Sequence, residues 1–146
     1  MKYYFDTSSL VKIYHSEPGT SDVLKIYKDS KKRILISELS RIEFLSTVYK
    51  KFREKEFTSD TLDALINKFQ DDTNLRYEIL QFSLLITDEA ENLIKRYADK
   101  HSLKILDSIQ FAFFKVYCEQ DIVFVCSDEK LSNLVRGEGF QVSIPQ

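Results

Sequence analysis

Apolar residues in this chain fall into short runs bounded by polar turns, and these alternate with longer stretches in which apolar positions recur at helical spacing. Tyr3-Tyr4-Phe5 is apolar on both alternating faces, which suits a central parallel strand covered by helices on each side. After it Leu10, Val11 and Tyr14 predict a helix, with Thr7, Ser8 or Ser9 available as its cap, until Glu17-Pro18-Gly19 breaks the run. A second helix is predicted over residues 21–29. Ile34-Leu35-Ile36 centres a strand over 33–37, followed by a helix over 38–54 whose apolar stripe is Leu39, Ile42, Leu45, Tyr49 and Phe52. Leu62, Leu65, Ile66 and Phe69 mark a helix over 59–69, and residues 77–82 read as a strand. From Thr87 onward, Asp88, Glu89 and Glu91 precede Lys95, Arg96 and Lys100, the ordering that a helix dipole favours.

The last third repeats the strand-to-helix pattern twice. Lys104-Ile105-Leu106 predicts a strand running into Asp107, whose helix carries Ile109, Ala112, Phe113 and Val116 on one face. Residues 122–126 are the clearest strand, and Ser127-Asp128 opens a helix bearing Leu131, Leu134 and Val135. Phe140, Val142 and Ile144 alternate as an edge strand would. Strands interleaved with helices in this way imply an α/β sandwich around a mostly parallel sheet. A length of 146 residues fits a single domain over 1–146 with one core, and the hydrophobic fraction of 43% fits a folded chain. Gly and Pro are too scarce for a linker or a low-complexity region.

A formal charge of -2, from 21 basic and 23 acidic side chains, does not exclude a nucleic-acid partner, because the signs can segregate into patches. Lys31-Lys32-Arg33 and Lys50-Lys51-x-Arg53 would serve phosphates only if they flank an acidic cleft; otherwise they are solvated faces. Cys118 and Cys126 form no CxxC pair, and His15 and His101 are too isolated to complete a zinc site with them. A reduced, cytoplasmic setting is expected. The opening MKYYFDTSS reaches Asp6 before an apolar leader core can form, and no run of apolar residues is long enough for a membrane span.

Asp6, Asp107 and Asp128 each fall, on this reading, at the carboxyl end of a strand, where open α/β folds gather their ligands. Glu43 comes from inside a helix and lies at the edge of its apolar stripe. Taken singly, each aspartate is equally a helix cap, and Glu43 an ordinary surface carboxylate. Taken together they would repel and raise one another's pKa, unless one or two hard cations such as Mg²⁺ or Mn²⁺ offset the charge. Such a set points to phosphodiester hydrolysis.

The same residues carry a family resemblance. YYFDTSSLVKIY around Asp6, SRIEFLS around Glu43, KILDSIQFA around Asp107 and VCSDEKLSNL around Asp128 stand in the order of the motifs of PIN-domain proteins, and the chain resembles VapC-type toxin ribonucleases in particular. The resemblance implies a PIN-like three-layer sandwich and a Mg²⁺- or Mn²⁺-dependent endoribonuclease. It also implies Asp6, Glu43, Asp107 and Asp128 as metal-site acids, with Ser8 as a supporting hydroxyl. In-line attack by water would leave a 5′-phosphate and a 3′-hydroxyl. A VapB-like antitoxin and a homodimer are the implied partners, with Tyr27, Tyr49 and Tyr77 as candidate interface aromatics. Two departures are Gln110, where many relatives have histidine, and Cys126, where threonine is common. Gln110 reads as a structural polar residue, since an amide does not titrate near neutral pH. Two other functions stay open on the residues alone: a nuclease for DNA or structured nucleic acid, and a noncatalytic RNA-binding regulatory protein on the same fold.

Overall fold

The computed structural model describes residues 1–146. Five strands, β1 (Lys2–Phe5), β2 (Arg33–Ser37), β3 (Tyr77–Leu80), β4 (Val123–Val125) and β5 (Val142–Ser143), make one sheet in the order β3-β2-β1-β4-β5. Every neighbouring pair is parallel, with Tyr4 opposite Leu35 on one side and Phe124 on the other. Seven helices join them: α1 (Thr7–Tyr14), α2 (Thr20–Tyr27), α3 (Glu38–Arg53), α4 (Ser59–Leu75), α5 (Leu84–Tyr97), α6 (Ile105–Tyr117) and α7 (Glu129–Gly137).

Strand alternation divides the core into two layers. Tyr3, Phe5, Ile34, Ile36, Val123 and Val125 face α1 to α4, where they meet Leu10, Val23, Phe44, Val48 and Phe69. Tyr4, Leu35 and Phe124 point the other way and pack against α5 to α7 through Leu93, Phe111, Phe114, Leu131 and Val135. The result is the expected three-layer sandwich. Because β1 lies at the centre, the chain builds outward from it first to β2 and β3, then to β4 and β5. A crevice therefore opens at the carboxyl ends of β1 and β4, between helices that leave toward opposite faces.

Several expectations need correction. No strand precedes Asp107: Lys104 caps α6 and its carbonyl accepts from the Ser108 amide, so residues 105–107 are the first helical turn. Ile105 is 73% exposed, and three apolar residues in a row do not by themselves distinguish a strand from the start of a helix. The rotation of α3 also differs from its predicted stripe. Leu39 is buried as predicted, but the inward line continues through Ser40, Phe44 and Val48, while Ile42, Leu45 and Tyr49 are exposed. Phe44 stacks on Phe69 at 3.8 Å and meets Tyr14 edge-on at 5.2 Å. Burial of Phe44 and Val48, worth about 1.5–3 kcal/mol each, thus sets the rotation over the alternative apolar face.

Helix α4 runs on to Leu75 because Asp72, polar in sequence, turns inward and accepts hydrogen bonds from Tyr14 and Tyr27. Tyr77 is buried and Tyr27 half-buried, so of the three candidate interface tyrosines only Tyr49 is exposed. Lys31-Lys32-Arg33 enters β2 at its amino end, away from the crevice, where Lys32 pairs with Asp29 and Arg33 with Glu78. Lys51 is held by Glu17 and Glu56. Neither basic run flanks the crevice through these residues.

Candidate functional site

Asp6 follows β1 directly and caps α1: its Oδ1 accepts from the Ser9 amide at 3.0 Å. Ser8 Oγ lies 2.8 Å from both carboxylate oxygens, and the Cys126 thiol donates to Oδ2 at 3.1 Å. Asp128 follows β4 by two residues beyond Cys126 and caps α7, accepting from the Leu131 amide through Oδ1 at 2.8 Å. Capping and site membership are thus compatible for these two aspartates. Ser8 links the two loops, since its Oγ accepts from the Ser127 amide at 3.3 Å. Glu43 reaches in from α3, where Thr7 Oγ1 donates to its Oε1 at 2.8 Å.

Asp107 joins them from the first turn of α6 rather than from a strand end. Burial raises its pKa to about 6, and the charges of Asp128, Asp6 and Glu43 push in the same direction against the opposing pull of Lys104. Asp6 is also raised, chiefly by burial, although the Cys126, Ser8 and Ser9 hydrogen bonds work to lower it. All four acids predicted from sequence therefore share one electrostatic neighbourhood. None of them has a lysine, arginine or histidine within ion-pairing distance, whereas most buried or half-buried acids elsewhere in the molecule do.

The PIN domain family matches residues 3–136, a span that contains every one of the four acids. The chain belongs to the PIN-domain family. Compared by sequence with curated proteins, it finds no match. Among solved structures this PIN domain is similar to FitAcB from Neisseria gonorrhoeae, with a TM-score of 0.69 at 16% identity, covering 99% of this chain and 98% of that one. VapBC2 from Rickettsia felis, solved bound to a promoter DNA fragment, gives a TM-score of 0.68 at 16% identity with the same two coverages. VapC20 from Mycobacterium tuberculosis, a toxin that cleaves the sarcin-ricin loop, gives 0.68 at 11% identity over 94% of this chain and 95% of that one. At such identities the likeness is one of fold.

The donor set of this PIN domain suits a hard cation. It is made only of carboxylates, and Glu43 Oε2, Asp128 Oδ2 and both oxygens of Asp107 receive no hydrogen bond from the protein. As the side chains stand, no group of three or more aspartate, glutamate, histidine or cysteine residues lies close enough together to hold a metal ion. Unneutralised carboxylates repel, which opposes closer approach. Beside Asp107 and Asp128 a cavity of about 870 Å³ opens between α7 and the segment joining α5 to α6. Lys100, His101, Lys104 and Lys130 line it, so acids and bases share its walls.

The sequence reading gave Gln110 as a structural polar residue and Thr7 as a possible cap, but not the layer they form beneath the acids. Thr7, Ser37, Ser40 and Gln110 are buried and hydrogen-bonded to one another under Glu43. Gln110 sits one helical turn after Asp107, and that i, i+3 spacing was the available signal for it. The others are short hydroxyls at helix starts, which in sequence look like caps.

Proposed function

We propose that the chain, working as a single domain over residues 1–146, is a metal-dependent endoribonuclease and the toxin of a VapBC-type pair. What supports this reading is the setting of Asp107: burial first, and then the charges of Asp128, Asp6 and Glu43, raise it to about 6, and none of the four acids has a basic partner within ion-pairing distance. Capping gives Asp6 and Asp128 a structural use but does not neutralise the set, and a bound cation would.

Asp6, Glu43, Asp107 and Asp128 would hold Mg²⁺ or Mn²⁺, and a cation so bound supplies Lewis acidity toward phosphate oxygens and water. The chain's own residues do the rest. Ser8 and the Ser9 amide fix the Asp6 carboxylate, and the α7 cap fixes Asp128, so neither must reorganise when substrate arrives. Lys100, Lys104 and Lys130 along the adjoining cavity offer ammonium groups to the phosphates flanking the cut. Ile42, Leu45, Phe82, Leu84 and Leu85 are large apolar side chains left exposed, and a VapB-like antitoxin or a second copy of the chain would cover them. No helix is long and apolar enough to cross a membrane.

The test is digestion of total cellular RNA, and in parallel of single-stranded DNA, by purified protein with Mg²⁺ or Mn²⁺, with cut ends mapped and Asp6→Asn as control. RNA fragments bearing 5′-phosphates that appear with wild type and vanish with D6N or chelator are the expected result. Equal cutting of DNA would move the substrate assignment. Cleavage that survives both D6N and chelator would overturn the site.

A further inference from the structure

Gln110 is nearly inaccessible, yet every polar atom of its amide is engaged. Its Nε2 lies 2.7 Å from Glu43 Oε1, 3.0 Å from Ser40 Oγ and 3.1 Å from Thr7 Oγ1. Its Oε1 accepts from the Tyr4 hydroxyl and, at 3.2 Å, from Ser37 Oγ. Glu43 settles which way round the amide stands. A carboxylate only accepts, so the nitrogen must face it, and the flipped amide would set two acceptors against each other at the same separation. Tyr4 then stands on the donating side, because the amide oxygen that its hydroxyl faces can only accept.

Both donors to Glu43, the Gln110 amide and the Thr7 hydroxyl, converge on Oε1. Oε2 receives none, and no buried side-chain oxygen in the molecule lacks a partner, so Oε2 is the solvent-accessible oxygen. We propose that Gln110 is the positioning residue for Glu43: anchored to the central strand through Tyr4, it clamps one carboxylate oxygen inward and presents the other to the site. Two parallel constraints on a side chain with three rotatable bonds fix its direction far better than helix geometry alone. A neutral imidazole at position 110 offers one acceptor and one donor on opposite sides, as the amide does, and would serve the same clamp.

The inference rests on the metal-dependent reading, and the experiment separates the two. Mn²⁺ binding to the purified chain is measured calorimetrically at pH 8 for wild type, Gln110→Met, Gln110→His and Thr7→Val, with RNA cleavage and thermal unfolding without metal recorded on the same samples. Q110M should bind Mn²⁺ about 10–100-fold more weakly. Q110H should restore most of that loss, a rescue that a purely packing role would not give. T7V removes the second donor to the same oxygen with little change of shape, and weaker binding there carries the test even if Q110M fails to fold. Wild-type Mn²⁺ affinity in folded Q110M, or in T7V where Q110M does not fold, would refute the clamp while leaving the nuclease reading intact. A wild-type chain that neither binds Mn²⁺ nor cuts RNA would remove both.

Discussion

Asp72 and Asp107 are chemically identical side chains placed in opposite circumstances. Asp72 is 4% exposed, and its carboxylate accepts from Tyr14 at 2.6 Å, Tyr27 at 2.8 Å and Lys68 at 3.0 Å. Tyr14 is itself bonded to Tyr77, so the cluster ties α1, α2, α4 and β3 together. Asp107 is half-buried, receives no hydrogen bond, and has three other carboxylates for company. The first is a carboxylate the fold has completed. The second is one the fold has left incomplete, and the cost of keeping it so is the physical signature of a site.

The contrast breaks most visibly in cleavage. Asp107→Asn keeps the shape of the side chain and removes its charge, and RNA cutting should fall by more than about 100-fold, beyond the roughly 10–100-fold typical of supporting residues. Asp6→Asn should behave alike, because asparagine still caps α1 and only the anionic ligand is lost. Asp72→Asn should retain cutting to within a few-fold when assayed well below its unfolding temperature. A D107N enzyme of full activity would erase the distinction between the two aspartates.

Stability should sort them the other way. Asp72→Ala strips a charged acceptor from two tyrosines and a lysine, and urea unfolding should show a loss of about 2–3 kcal/mol. That figure is the expected scale for hydrogen bonds to a charged group with a buried hydroxyl left behind. An unchanged urea midpoint and slope in D72A would mean that the tyrosine cluster is ornamental to the fold.

Why one of these aspartates was visible in the sequence and the other was not follows from the same contrast. Asp6 stands directly after a run of apolar residues and Asp128 one serine beyond another, so chain order alone places them near strand ends, and the sheet, its parallel sense and both helical layers follow from the same punctuation. Asp107 was singled out by its motif although its local structure was misread, because Lys104-Ile105-Leu106 fits a helix start as well as a strand. The α3 stripe was mis-phased since Ile42, Leu45 and Tyr49 match helical spacing as well as Phe44 and Val48 do. Only the aromatic contacts with Tyr14 and Phe69, distant in sequence, decide between them. Asp72 and Gln110 were illegible as hubs for one reason. A polar residue inside a helix declares nothing about which distant hydroxyls will meet it.

The smallest effect concerns pH, and its sign is set by the direction of the Asp107 shift. An acid whose folded pKa is raised from 3.8 to about 6 holds its proton in the folded state over a range where the unfolded chain has released it. The folded state then binds more protons, so stability declines as pH climbs from about 4 to about 6 and stays at the reduced level above. Below about 4 both states are protonated and the penalty is absent. Asp107→Asn does not titrate and should therefore be more stable than wild type at pH 8, by on the order of 1 kcal/mol once solvent screening of a half-buried group is allowed for. The two proteins should converge near pH 4. Added Mg²⁺ should narrow the gap at pH 8, because a cation offsets the repulsion that asparagine abolishes, while D72A should show no such rescue. Metal-free unfolding curves of wild type and D107N that remain parallel from pH 4 to pH 8 would show that burial and the other three acids do not raise Asp107.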